Sequence, residues 1–303
     1  MYDIIVVGGG PAGLTAALYG LRNGKSVMVI EKSVFGGQIT NSPKVENIPG
    51  FESISGDEFA DKFLDQVMAQ GGNVMLEEVV SVQDAGNVKE VILSDGQKIA
   101  GKTVILATGT KHRLLGLEGE DDLVGNGISF CAVCDGDFYA DKTVCMIGGG
   151  NSAFVEAVLL AGIVKKLIML QDLPYFTADQ KLQDQLFANE NVETRLETKV
   201  ISYVVENGEI KGVKYMNKEG FERIATCDGV FLAVGLVPDN GAFSELAELD
   251  SRGYFVSDES CKTGTPGIFV AGDCRNKTLR QVTTACADGA IAAIAACAFI
   301  NEA

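Results

Sequence analysis

The chain has 303 residues, of which 47% are hydrophobic and 22% charged, and its net charge is −16. This is the composition of a globular chain long enough for two domains of ordinary size, and the acidic balance argues against nucleic-acid binding, which needs Lys and Arg to neutralise phosphates. No run reaches the ~18 apolar residues needed to span a bilayer, and Met1-Tyr2-Asp3 passes straight into an apolar stretch without a basic leader, so no membrane association and a cytoplasmic location are expected.

Asp3 to Val7 is β-branched and apolar, the pattern of a buried parallel strand. Gly8-Gly9-Gly10-Pro11-Ala12-Gly13 follows, then a helical stretch from Leu14 to Arg22, then a strand from Ser26 that ends in the acid Glu31. In this order the pieces make a dinucleotide fingerprint rather than merely a tight turn. Gly8 permits the turn, Gly10 lets a pyrophosphate approach the backbone, Gly13 lets helix and strand pack closely, and Glu31 is placed for a ribose hydroxyl. The phosphates would sit at the helix N-terminus. The loop from Gly36 to Phe51, which offers Gly37, Gln38 and Asn47, is long and rich in turn residues, as functional loops beside nucleotide sites are. An amphipathic helix is expected over 56–71, strands over 77–82 and 88–93, and a hairpin turn at Asp95-Gly96. A buried strand from Lys102 ends in Ala107, Thr108 and Gly109.

Cys131-Ala132-Val133-Cys134 is followed by Asp135. Two thiols at this spacing can close a small disulfide ring and can attack another protein's disulfide, and Asp135 can hand a proton to a leaving thiolate. A zinc site would need a second Cys or His pair, which the chain lacks, so no metal is expected. Cys145, Cys227, Cys261, Cys274, Cys286 and Cys297 read as small buried hydrophobes. The opening unit then repeats: a strand over 142–147, Gly148-Gly149-Gly150-Asn151-Ser152-Ala153, a helix and a strand over 166–170. Small strands follow over 192–196, 199–206 and 210–216, the last two joined at Asn207-Gly208. Asp228 to Gly235 is a further buried strand. The last strand ends in Gly272-Asp273, and Arg280-Gln281-Val282 opens an Ala-rich helix to Phe299. An acid at the carboxyl end of such a strand is where ligands bind, a helix cap being the plainer role for Asp273.

The glycine loop at 8–13, Ala107-Thr108-Gly109, Cys131 to Asp135, the second loop at 148–153, and Gly272-Asp273 with Arg280-Gln281 together resemble the low-molecular-weight thioredoxin reductases over essentially the whole chain. The resemblance implies an α/β fold of two Rossmann-like nucleotide-binding domains, the second inserted in the first. The FAD domain would comprise 1–113 and 241–303, and the inserted pyridine-nucleotide-type domain 114–240 would carry the CxxC. It also implies a homodimer, a thioredoxin or thioredoxin-like partner, and a rotation of one domain against the other. Cys134 would face the flavin and Cys131 would attack the substrate disulfide, with Asp135 as the acid–base residue. Gly10, Pro11, Ala12, Asp273, Arg280, Gln281 and Val282 would lie along the FAD, Asp273 holding its ribityl chain. His112 has no matching role and reads as a loop histidine.

One departure bears on the electron donor. NADPH-using members carry a His-Arg-Arg cluster and a further Arg where this chain has Gln171, Asp172, Leu173 and Thr177, so the arginines that pair a 2′-phosphate are missing. The chain looks more like members without the NADPH motif, such as the ferredoxin-dependent flavin thioredoxin reductases. Reduced ferredoxin is the expected donor, with the Leu173-Pro174-Tyr175-Phe176 run filling the vacant site and Lys111, His112 and Arg113, or Lys165 and Lys166, as docking cations. NADH is the alternative, with Asp172 on the ribose, and NADPH a less favoured one. A flavin-containing regulator or an oxygen-using oxidase is the reading from another class, and the intact dithiol argues against it.

Overall fold

A computed structural model describes residues 1–42 and 45–302. Pro43 and Lys44, within the loop expected from Gly36 to Phe51, and Ala303 lie outside the described residues. The chain divides into two compact units, residues 1–111 with 237–303 and residues 112–236.

Among the described residues, the first unit holds a seven-stranded sheet. Asn73–Leu76, Val27–Glu31, Tyr2–Val7 and Lys98–Leu106 lie side by side and parallel. The nine-residue strand Lys98–Leu106 is shared along its length. Its first half pairs antiparallel with Lys89–Leu93 and its second half parallel with Ile268–Val270. The parallel strands are apolar on both faces because both are covered: the helices Pro11–Arg22 and Val282–Glu302 pack on one, and Val82, Val91, Leu93, Phe243, Leu246 and Phe255 pack on the other. The helix Pro11–Arg22 packs against the C-terminal helix Val282–Glu302 through small residues, Ala12, Ala16 and Ala17 meeting Ala285, Ala292, Ala293 and Ala296 in one buried cluster. The approach is so close that a Cβ on Gly289 would stand 2.1 Å from the Ala12 carbonyl oxygen.

The C-terminal helix, Val282–Glu302, forms where the Ala-rich pattern leads. Its 21 residues are long and apolar enough, by length and composition, to cross a bilayer. That apolarity belongs to a core: one face is buried against the sheet and the first helix, and it carries the buried acid Asp288.

The second unit repeats the plan. Val192–Arg195, Lys166–Leu170, Thr143–Ile147, Gly229–Leu232 and Ile128–Ser129 form a parallel sheet in that order. A separate antiparallel sheet comprises Lys199–Glu206, Glu209–Met216 and Glu222–Thr226, and Asn207 and Gly208 turn its first hairpin at φ 53° and 82°, as a type I′ turn requires. The two glycine loops share their backbone hydrogen bonds to the neighbouring strands. Gly8 N–H donates to Ile30 O at 2.8 Å and Gly148 N–H to Leu170 O at 3.0 Å. Gly8 and Gly148 have φ of 107° and 132°, and a Cβ on either would fall 2.2 Å from a carbonyl oxygen, that of Ala107 or Ala233.

Candidate active site

In the first unit the carboxyl ends of the parallel strands open into a cavity of about 320 Å³ lined by Gly10, Pro11, Ala12, Glu31, Gly37, Gln38, Ala107, Thr108, Gly109, Gly272, Asp273, Arg280, Gln281 and Val282. A second cavity of about 360 Å³ shares Glu31, Lys32 and Thr108 with it and reaches Gly8. Two expected residues touch neither. Gly13 faces the backbone of Gly8, where a Cβ would lie 1.9 Å from the carbonyl oxygen, and Asn47 donates to Gln281 Oε1 at 3.0 Å. Lys32, Ser33, Ser42 and Thr110 also line the first cavity; Lys32 and Ser33 follow Glu31 directly, and Thr110 follows Gly109, the only signal that could have found them.

Glu31 is buried. Its Oε2 accepts the Gly9 N–H at 2.7 Å and its Oε1 the Ser33 N–H at 2.9 Å, so the acid pins the glycine loop while lining the cavity. Asp273 caps no helix, since the last helix begins at Val282. Its Oδ1 is buried without a hydrogen bond, with the Lys277 ammonium 3.2 Å away as an ion-pair contact. Asp288 anchors this corner. Its Oδ2 accepts from the Gly272 N–H at 3.1 Å, Arg275 Nε at 2.8 Å and Lys277 Nζ at 3.1 Å. Burial pushes the Asp288 carboxyl up, but Arg275 and Lys277 outweigh it and hold the group below the usual carboxylate range. Arg280 has its guanidinium on the carbonyls of Asp273, Lys277 and Arg275 and over the Tyr254 ring at 4.1 Å, so it staples the 273–280 loop. The cavity therefore fits an FAD: a glycine loop at a helix N-terminus, a buried carboxylate, Glu31, in its wall, and an acceptor, Asp273 Oδ1, that receives no hydrogen bond.

In the second unit Cys131 and Cys134 are joined by a disulfide with Cα atoms 5.4 Å apart. They sit on the short helical turn Ala132–Asp135, with Cys131 buried and Cys134 exposed. Cys134 N–H donates to Cys131 Sγ at 3.2 Å, Cys131 N–H to Ser129 Oγ at 3.1 Å, and Ser129 Oγ–H to Asp135 Oδ2 at 2.6 Å. Ala132 N–H donates to the carboxylate of Glu156, which sequence reasoning did not single out. His112 is not a loop residue: it ends the strand Thr110–His112 and stacks on Phe130 with ring centroids 4.5 Å apart, and burial pushes its imidazole below the usual range. The other six cysteines are free thiols, five of them buried.

The second glycine loop borders a groove of about 750 Å³. Leu173, Pro174 and Tyr175 are exposed and only Phe176 turns inward, onto Phe154 and Phe187, so the expected filling of this site by the 173–176 run is corrected. The groove is not stripped of positive charge either, since Arg113 and Lys199 line it. The matched hydrogen bonds put Gln171, not Asp172, where the first unit has Glu31; Asp172 is exposed.

The family profile described as pyridine nucleotide-disulphide oxidoreductase matches residues 2–289. The chain belongs to the pyridine nucleotide-disulphide oxidoreductase family. It is 40% identical over 303 residues to a thioredoxin reductase of Listeria monocytogenes, covering 100% of this chain and 95% of that one, and 36% identical to one of Bacillus subtilis, covering 100% and 96%. A crystal structure of Lactococcus lactis thioredoxin reductase matches it with a TM-score of 0.95 at 34% identity, covering 100% of both chains. This member of the family is a thioredoxin reductase-like flavoprotein oxidoreductase, and FAD is its cofactor.

Proposed function

We propose that the chain is a disulfide reductase that passes electrons through FAD and the Cys131/Cys134 pair to thioredoxin or a thioredoxin-like protein. The disulfide on a turn where Ser129 links the Cys131 backbone to Asp135 carries this reading. Bound FAD supplies the electron pair that opens the disulfide. Cys134 is the sulfur that meets the flavin, Cys131 attacks the substrate disulfide, and Asp135, held in place by Ser129, protonates the leaving thiolate. Cys131 is buried, so the attack requires a movement that exposes it. The FAD residues are those of the 320 Å³ cavity, with Gly8, Gly13 and Asn47 behind them; the enzyme is a cytoplasmic homodimer, and residues 114–240 form the inserted domain.

Reduced ferredoxin is the donor. Support comes from the nucleotide groove of the second unit, where the 2′-phosphate arginines are absent and an amide, Gln171, holds the ribose-acid position. A ferredoxin at about −400 mV lies ~130 mV below a thioredoxin at about −270 mV, ~6 kcal/mol downhill for two electrons. The docking cations are fewer than expected, since Lys111 pairs with Asp239 at 3.1 Å and Lys166 with Glu193 at 2.6 Å; Arg113 and Lys165 remain. NADH is the second reading, favoured by the open 750 Å³ groove. Anaerobic titration with NADPH, NADH and reduced ferredoxin in turn tests both. Ferredoxin alone should bleach the flavin band and the enzyme should then reduce thioredoxin; bleaching by NADH overturns the donor assignment, and a bleached enzyme that leaves thioredoxin oxidised overturns the whole reading.

A further inference from the structure

Glu156 belongs to the helix Asn151–Ala161 after the second glycine loop, yet its carboxylate accepts the N–H of Ala132, the buried residue next to Cys131. An N–H group and a carboxylate at the redox turn thus have opposite effects on one sulfur. The Cys134 N–H, 3.2 Å from Cys131 Sγ, favours a thiolate there; the Glu156 carboxylate, bonded one residue away, opposes a second negative charge. Burial pushes the Glu156 carboxyl above its ordinary range while the Ala132 N–H pulls it down. The charged groups on the elements packed against its helix are turned elsewhere. Asp135 faces Ser129 Oγ at 2.6 Å, Lys166 faces Glu193 at 2.6 Å, Asp184 accepts from Gln180 at 2.8 Å, Lys181 is exposed, and the Cys145 thiol bonds Cys227.

We propose that Glu156 is a positioning residue of the redox pair: anchored on the Ala132 N–H, its charge keeps Cys131 protonated, and removing that charge releases the Cys131 thiolate. The proposal rests on Cys131 as the attacking sulfur. Opening the disulfide would take two protons and the two electrons that FAD, when bound, relays from the electron donor. Attack then needs the Cys131 proton to leave; the new S–S bond to the substrate forms as the substrate's own breaks, and the expelled sulfur takes up a proton. On this proposal the pH at which attack begins depends on the Glu156 charge as well as on the neighbouring Cys134 thiol.

The test is the pH profile of iodoacetamide alkylation of the reduced holoenzyme, with Cys131 and Cys134 read separately by mass spectrometry. Glu156→Gln, which keeps an acceptor for the Ala132 N–H, should move the midpoint of the Cys131 profile about 1 pH unit below that of the native enzyme, and Glu156→Ala should move it the same way. Native and Glu156→Gln profiles that superimpose overturn the proposal, and where Glu156→Gln does not fold, a Glu156→Ala profile that superimposes on the native one does so. The sulfur assignment is tested apart: Cys134→Ser should trap a mixed disulfide with thioredoxin and Cys131→Ser should not, and the reverse result sinks the assignment whatever Glu156 does.

Discussion

The side chains at the FAD cavity divide into those that face it and those that hold others in place. Gly13 is of the second kind: with a Cβ 1.9 Å from the Gly8 carbonyl oxygen, a backbone atom that cannot rotate away, Gly13→Ala should cost about 1–3 kcal/mol or more and lower FAD occupancy, read by thermal melting and by the flavin-to-protein absorbance ratio. Asp273→Asn presents an amide where Oδ1 now waits for a donor, and FAD should dissociate about tenfold more readily, ~1.4 kcal/mol, measured by flavin fluorescence on dilution of the holoenzyme. At this scale the sequence was informative where partners are close along the chain or share a motif, as for the glycine loops and the CxxC. Glu156, Lys277 and Asp288 left no such mark, because each works through a group brought to it by folding: Glu156 reaches back 24 residues to Ala132, and Asp288 reaches 16 to Gly272 and 13 to Arg275.

Among the elements, the first strand and the last helix depend most on ionised groups. Asp3, at the start of the first strand, accepts from the Ser26 N–H at 2.9 Å, Ser26 Oγ at 2.8 Å and Lys102 Nζ at 2.7 Å. Burial pushes its carboxyl up, but these donors bring it down to about 2. A depressed carboxyl stabilises the fold above its unfolded value of about 3.9 and loses that contribution as pH falls through its folded one. Native stability should therefore drop between about pH 4 and pH 2 by more than that of Asp3→Asn, as denaturant titrations at each pH would show. On the last helix, Asp288→Leu leaves Arg275 and Lys277 buried without their carboxylate and should cost about 3–5 kcal/mol, read from the denaturant midpoint. The strands beside each glycine loop were legible because they are buried on both faces and so continuously apolar. The helix Gln180–Phe187 and the strands Asn73–Leu76 and Glu222–Thr226 were not: they are short, partly polar elements at the margins of their sheets, ordered by what they pack on rather than by their own pattern. The helix Val282–Glu302 was legible as a helix, but its close contact with the residues at 12–17 was not.

For the molecule as a whole, the two units have separate cores and separate chemistry: every residue lining the FAD cavity lies in residues 1–111 or 237–303. Binding FAD should thus slow amide hydrogen exchange around residues 8–13, 107–110 and 271–282, while the strands of residues 143–147 and 166–170 should change little; comparable protection in both sets would mean that the units fold and bind as one.

The first unit is also assembled from two stretches of sequence that flank the second. Its sheet receives Ile268–Val270, and its glycine-loop helix receives Val282–Glu302, only after the whole second unit has been made. On a ribosome adding about 5–20 residues per second, the opening segment waits ~10–30 s for the pieces that close it. During that interval its apolar strands lack a neighbour, while the intervening unit, contiguous in sequence, has everything it needs to fold. Flavin loading is therefore a late event in the life of the nascent chain, and a ribosome that stops before residue 268 releases a folded redox-disulfide unit attached to an open half-sheet, a product for quality control rather than a smaller enzyme.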